Sequence, residues 1–314
     1  MKKSMNILVT GSNGQLGLCL KDIRLLFDHE NKYSFLNKDE FDLMNKEQMY
    51  DVFEKLKPDV VVNCAAYTNV EKSEDDDGNM SFLLNADGVC ELTALCREYG
   101  TYLIHVSTDY VFDGRKKTPY TETDKTHPLN QYGMTKLIGD KCVLDYKNGI
   151  VIRTSWLYSE YGHNFYKTML ERIRTDRETN VVCDQISTPT YAKDLAYFIY
   201  TLIKDKKIFE INGLYNFSNN GMASWYDFAS AIETLYSKYG QYEPMRVDPM
   251  VIHFTASLYD KKYINPTTSE NYKTKAKRPS YSVLDKSKIE TEIGFKPRHW
   301  IDALVDCMKN DKKI

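Results

Sequence analysis

No stretch of the 314-residue sequence approaches the roughly 18 consecutive apolar residues of a membrane-spanning helix, so no membrane partner is expected. The opening MKKSMNILVTG carries two lysines, but its apolar run is only a strand long and meets a glycine turn. No signal peptide is expected there, and the cytoplasm is the anticipated compartment. There is no C-x-x-C pair. The seven cysteines, Cys19, Cys64, Cys90, Cys96, Cys142, Cys183 and Cys307, are odd in number and stand singly, which argues against a disulfide framework and against a structural zinc site. No basic block exists either: 42 Lys and Arg face 44 Asp and Glu, for a formal charge of −2, so nothing invites nucleic acid. The one dense charge run, Glu71 to Asp77, reads most simply as a solvated loop or helix entrance. Internal repeats and low-complexity tracts are absent.

What is present is an alternation of strand-like and helical segments. Asn6–Thr10, Tyr33–Leu36, Asp59–Asn63, Tyr102–Val106 and Ile150–Arg153 read as strands, with helical stretches from about Gly14, around 46–56 and before Tyr102. Most of the strand cores are continuous apolar runs, as expected where helices cover both faces of a parallel sheet. The expected fold class is α/β, a Rossmann-type doubly wound parallel sheet with a smaller C-terminal substrate-binding lobe. The anticipated division is 1–160 for dinucleotide binding and 161–314 mainly for the lobe, with some segments returning to the first domain. Prolines at 189, 244, 249, 266 and 279 break up the second half, and Ile264–Asn271 reads as a polar, mobile loop.

Between the first strand and the first helix stands Thr10-Gly11-Ser12-Asn13-Gly14-Gln15-Leu16-Gly17. Glycines at 11, 14 and 17 permit a tight turn and a close backbone approach to a diphosphate, and the helix N-terminus offers N–H donors and a positive dipole end. The spacing G-x-x-G-x-x-G differs by one residue from the commonest dinucleotide fingerprint. After the second strand comes Leu36-Asn37-Lys38-Asp39. No carboxylate stands at the strand end to hold a ribose 2′-hydroxyl, and Lys38 suits a 2′-phosphate, so the cofactor reading leans to NADPH, with NADH left open.

Residues 130–136 read NQYGMTK. On a helix Tyr132 and Lys136 share a face. A phenol with an ordinary pKa near 10 is a poor donor at neutral pH, and a neighbouring ammonium is expected to lower it. Taken alone, such a pair is an ordinary amphipathic turn. It gains weight from Ser107-Thr108-Asp109-Tyr110 at the end of a predicted central strand, because open α/β sheets bind ligands beyond the carboxyl ends of their strands.

This set resembles that of the extended short-chain dehydrogenase/reductases, and most closely their dTDP-4-dehydrorhamnose reductase branch. The likeness runs through Gly14-Gln15-Leu16-Gly17, Asn63-Cys64-Ala65-Ala66-Tyr67-Thr68, Ser107 to Gly114, Pro128 to Lys136 and Arg153-Thr154-Ser155-Trp156. It continues through Asn164-Phe165, Asp184-Gln185, Ser224-Trp225-Tyr226-Asp227 and Arg278-Pro279-Ser280. The resemblance implies a catalytic set of Thr108, Tyr132 and Lys136. It implies a cofactor site from Gly11, Asn13, Gly14, Gln15, Leu16, Gly17, Lys38, Asp42, Leu43, Ala65, Ala66, Tyr67, Tyr132 and Lys136, and a dTDP-sugar site from Thr108, Asp109, Tyr110, Trp156 and Asn164. Tyr132 would give a proton to a C4 ketone that Thr108 polarises, while Lys136 tunes Tyr132. A homodimer is compatible with it.

Some members bind magnesium through a glutamate two residues after the third glycine; Cys19 stands there, so no metal is carried over. The region 252–276 looks longer than usual. Two other readings stand beside the reductase: an epimerase or dehydratase of the same superfamily, and an NADP-binding, non-catalytic regulatory subunit of the methionine adenosyltransferase type. Plainer readings also hold for single residues. His105 is expected to be a packed, satisfied histidine. Trp156, Tyr110 and Tyr67 suit core as well as ligand, and Asp184 and Gln185 suit a domain interface.

Overall fold

A computed structural model describes residues 4–75, 79–239 and 263–311. Its centre is a six-stranded sheet built from β1 (Asn6–Thr10), β2 (Lys32–Phe35), β3 (Val60–Asn63), β4 (Tyr102–Thr108), β5 (Gly149–Thr154) and a sixth strand, Gly213–Asn216, in the order β2-β1-β3-β4-β5-sixth. Every pairing is parallel. The order reverses between β1 and β3, which opens a crevice at the carboxyl ends of the strands. The connecting helices are α1 (Gln15–Phe27), α2 (Lys46–Leu56), α3 (Val70–Asp75), α4 (Asn79–Phe82), α5 (Gly88–Tyr99) and α6 (Gln131–Leu144).

Alternate residues of the strands feed two cores, which is why the runs are apolar throughout. On one face Ile7, Val9, Val60, Val62, Ile104, Ile150 and Ile152 pack against α1 and a helix at Ala192–Lys204. On the other, Leu8, Val61, Leu103 and Val151 pack against Phe53, Val89, Leu92 and Val143 of α2, α5 and α6. A third core is aromatic. Tyr158, Tyr166, Tyr191, Phe228 and Trp300 join short strand pairs to the helices Phe165–Arg174, Trp225–Tyr239 and Trp300–Asn310. The helix Ala192–Lys204 and the strand Gly213–Asn216, although from the second half of the chain, belong to the sheet's own layers.

Several expectations change. Cys90 and Cys142 form a disulfide between α5 and α6, with Cα atoms 5.3 Å apart; Cys19, Cys64, Cys96, Cys183 and Cys307 are free. Helix packing brings together two residues whose spacing carried no signal. Ile264–Thr267, read as loop, is a strand paired in parallel with Thr179–Val182, and Asp184 then accepts from the backbone N–H and hydroxyl of Ser269. The acidic run is not simply solvated. Within α3, Glu71 pairs with Arg278 and Asp75 with Lys275, while Glu74 accepts the N–H of Gln131 at 2.7 Å. Of the region 252–276, residues 252–262 lie outside those described. Among the described residues no helix is long and apolar enough to cross a membrane, and no cluster of three His, Cys, Asp or Glu suits a metal ion.

Candidate active site

A cavity of about 590 Å³ lies at the carboxyl ends of the strands. Its wall begins at the turn after β1. Gly11 has φ +61°, and a Cβ there would meet the backbone N of Ala65 at 2.7 Å, so the turn and the loop after β3 are in backbone contact. Helix α1 then starts with no side-chain cap and no acidic residue in its first turn, leaving its N-terminal N–H groups and dipole available for an anion. A second cavity of about 330 Å³ shares Gly11, Asn13, Gly14, Cys64 and Ala66 with the first, and adds Lys38, Asp39, Asp42, Leu43 and Ala65. The donor set and the two joined cavities fit an extended dinucleotide.

The end of β4 supplies Thr108, whose hydroxyl accepts from the N–H of Tyr110 at 3.2 Å. Helix α6 opens with Asn130 as its cap, the side chain accepting from Gly133 N at 2.7 Å. A Cβ on Gly133 would lie 2.2 Å from the carbonyl O of Tyr110; only glycine lets α6 come this close to the segment after β4. That approach brings Tyr132 and Lys136 into the same cavity as Thr108, with the Tyr110 and Tyr132 rings edge-to-face at 6.0 Å.

The electrostatics differ from expectation. Burial pushes the Tyr132 phenol up to about 12; Thr108, by hydrogen bonding, pulls it down, and Asp109 and Asp140 push it further up. Lys136 does not acidify it here. Its Nζ donates instead to the carbonyl of Val106 at 2.7 Å and contacts His105 Nε2 at 3.3 Å, and burial brings the ammonium down to about 8. His105 is packed, as anticipated, but it touches the site lysine. Asp109, 2% exposed, is pushed by burial up to about 7, against hydrogen bonds from Ser282, Thr108 and Ser187.

The cavity also takes in Gly11, Asn13, Gly14, Gln15, Leu16, Gly17, Ala66, Asp109, Tyr110, Trp156 and Asn164, each anticipated from sequence. Tyr67 is not among the lining residues of either cavity; its backbone is held by Asn85, which accepts its N–H at 2.9 Å and donates to its carbonyl at 3.0 Å. Asn164 lines the wall, but its side chain is committed. It caps the following helix through Lys167 N and donates to Gln15, Ser159 and Tyr161. Ser107 lines the cavity beside Thr108, where the strand-end pair was expected; sequence reasoning missed Thr154, His163, Phe165 and Trp225 as lining residues. The hydroxyls of Ser107 and Thr154, on neighbouring strands, are buried without a partner, although both residues line the cavity. Their position at strand ends was a usable signal. Trp225 stood in a segment that carries the family likeness but had no site reading: it stacks on Trp156 at 3.6 Å, and Trp156 holds φ +45°, a conformation rare outside glycine.

The family model described as the RmlD substrate binding domain matches residues 5–313. The chain belongs to that family. A dTDP-4-dehydrorhamnose reductase of Aggregatibacter actinomycetemcomitans is 37% identical over 305 residues, covering 95% of this chain and 96% of that one. A crystal structure of a dTDP-4-dehydrorhamnose reductase from Clostridium acetobutylicum superposes with a TM-score of 0.83 at 35% identity, covering 97% and 99% of the two chains. The Bacillus anthracis reductase, crystallised in complex with NADP, gives a TM-score of 0.83 at 31% identity over 98% and 99%. The family membership thus agrees with the resemblance seen in the motifs.

Proposed function

We propose that this chain uses NADPH to reduce the C4 ketone of dTDP-4-dehydro-L-rhamnose, giving dTDP-L-rhamnose. The observation that carries the reading is the convergence of Thr108 from β4 and Tyr132 from α6 in the cavity that the glycine turn enters. The relatives' names and the NADP-bound neighbour support the substrate and the cofactor. Neither the epimerase or dehydratase reading nor the regulatory-subunit reading is favoured by them.

When bound, NADPH supplies the hydride. Gly11, Gly14 and the uncapped start of α1 would hold its diphosphate, with Lys38 and Asp42 at the far end of the second cavity. Tyr132, with a phenol held up at about 12, arrives protonated at neutral pH. It would donate its proton to the ketone oxygen as negative charge develops there. Thr108, itself buried, would hydrogen-bond the same oxygen. Lys136 would lie along the cofactor ribose, and Asp109, Tyr110 and Trp156 would shape the sugar site, with the aromatic layer of the second half as the substrate lobe. A cytoplasmic location suits such a substrate.

The test is to follow NADPH absorbance with enzymatically generated dTDP-4-dehydro-L-rhamnose. Stoichiometric oxidation of the cofactor is expected; binding of NADPH without turnover would overturn the reading.

A further inference from the structure

At the end of β4 a single hydrogen has two possible destinations. Thr108 carries one hydroxyl proton, and its oxygen already accepts the N–H of Tyr110 at 3.2 Å. Among the described residues that proton reaches one acceptor, Oδ1 of Asp109 at 3.3 Å. The other carboxyl oxygen is held from the far side: Ser282 donates to Oδ2 at 2.5 Å, and Ser187 approaches it at 3.3 Å. Ser187 has a second acceptor in the Ser282 carbonyl at 3.2 Å, but the Ser282 hydroxyl has Oδ2 alone among the described residues. All four side chains are at most 6% exposed. The two charge states of the carboxyl then give Thr108 different tasks. Ionised, Asp109 only accepts, so it takes the Thr108 hydrogen and leaves none for a ketone oxygen. Protonated, it keeps Oδ2 as acceptor for Ser282, so the acid proton sits on Oδ1, facing Thr108. Oδ1–H then donates to the free lone pair of Thr108, whose own hydrogen is released to the cavity.

We infer that Asp109 is a positioning residue for Thr108: its protonated form directs the Thr108 hydroxyl hydrogen into the cavity, and its ionised form withdraws it. This deepens the reductase reading and rests on it only for the identity of the acceptor, the ketone oxygen. The groups around the carboxyl leave its proton in place near neutrality. Tyr110, next in the chain, and Tyr132 of α6 are both uncharged there, since burial pushes each phenol up. Lys136, the cation of the cavity wall, donates to the carbonyl of Val106 at 2.7 Å. Arg278, which acts on Tyr110, is paired with Glu71, and Asp140 with Arg153. The short strand Ile186–Ser187 and the segment after Tyr281 bring only the two serine hydroxyls. Among the described residues no cation is hydrogen-bonded to Asp109. Burial therefore outweighs the hydroxyl donors and raises the carboxyl to about 7, so both forms are populated at neutral pH.

Asp109→Asn copies the protonated pattern at every pH, its carbonyl accepting from Ser282 and its N–H donating to Thr108. For the natural sequence, kcat/KM for the sugar nucleotide should fall about tenfold between pH 6 and pH 8, as the carboxyl ionises and the Thr108 hydrogen is withdrawn. In Asp109→Asn it should stay level within about threefold over that range, the residual decline being that of Lys136, which burial brings to about 8. A variant that keeps the full decline, or a natural enzyme that shows none, would overturn the inference; structural damage alone lowers activity at all pH values without flattening the profile. With aspartate carboxyl groups labelled with carbon-13, the cofactor-free protein should show one carboxyl that titrates near pH 7 and is lost in Asp109→Asn. An Asp109 ionised down to pH 5 would overturn the inference as well. The carboxyl titration needs no turnover, so a failed reductase reading and a failed role for Asp109 give different results.

Discussion

The part of the cavity wall built by the central sheet takes its residues from strand ends: Gly11 to Gly17 after β1, Cys64 and Ala66 after β3, Ser107 and Thr108 on β4, and Thr154 on β5. Another part, Trp156, His163, Asn164, Phe165 and Trp225, comes from loops and helix starts. Trp156 leans on Trp225, and Asn164 ties its loop to Gln15, Ser159 and Tyr161. In the first region the backbone ladder fixes geometry, so the chemistry needs only the right residue at a strand tip. In the second, Trp156, Phe165 and Asn164 lean on Trp225 and Gln15, partners remote in sequence, so shape there is set by packing.

The sharpest test of the contrast is Tyr132→Phe, which removes the proton donor that α6 sets beside the sheet-built wall, and few binding contacts. A loss of kcat of about 10²- to 10⁴-fold is expected, with NADPH affinity within about threefold by fluorescence titration. Equal losses in both would show that Tyr132 binds and does not donate.

Asp109 comes next. Its carboxyl is raised in the folded protein from 3.8 to about 7, so its contribution to stability is fully present below pH 4 and is lost as pH rises through about 7. The loss over that whole range is on the order of 4 kcal/mol. Asp109→Asn should flatten that decline in thermal melts at pH 5 and pH 8. An unchanged decline would mean that another group titrates.

Gly11→Ala puts a Cβ at 2.7 Å from Ala65 N in a residue with φ +61°. Destabilisation of about 1–3 kcal/mol, with weakened NADPH binding, is expected from chemical denaturation and titration. In the packing-built region the effect is smaller and of another kind. Trp225→Ala removes the stack on Trp156, worth about 0.5–1.5 kcal/mol, so KM for the sugar nucleotide should rise about three- to tenfold while NADPH affinity holds. If NADPH affinity fell instead, the two regions would not be separable.

Much of this was legible in the chain. Continuous apolar runs gave the buried parallel strands, the glycine turn gave the start of α1, and the strand-end Thr108 with the helical Tyr132 and Lys136 gave three residues that do line one cavity. Other points were not legible. That Lys136 would turn to Val106 and His105, leaving Tyr132 raised by burial, depends on side-chain direction and on what lies beneath the helix. The docking of α3 on Arg278 and Lys275, and the pairing of Cys90 with Cys142, join residues whose spacing follows no period.

By itself the sequence determined the layers and the strand-tip chemistry, because the periods of strand and helix and the special freedom of glycine are local properties. The tertiary structure alone decided the charge states and the aromatic side of the cavity. Burial, hydrogen-bond direction and ring stacking depend on neighbours that only folding brings within reach.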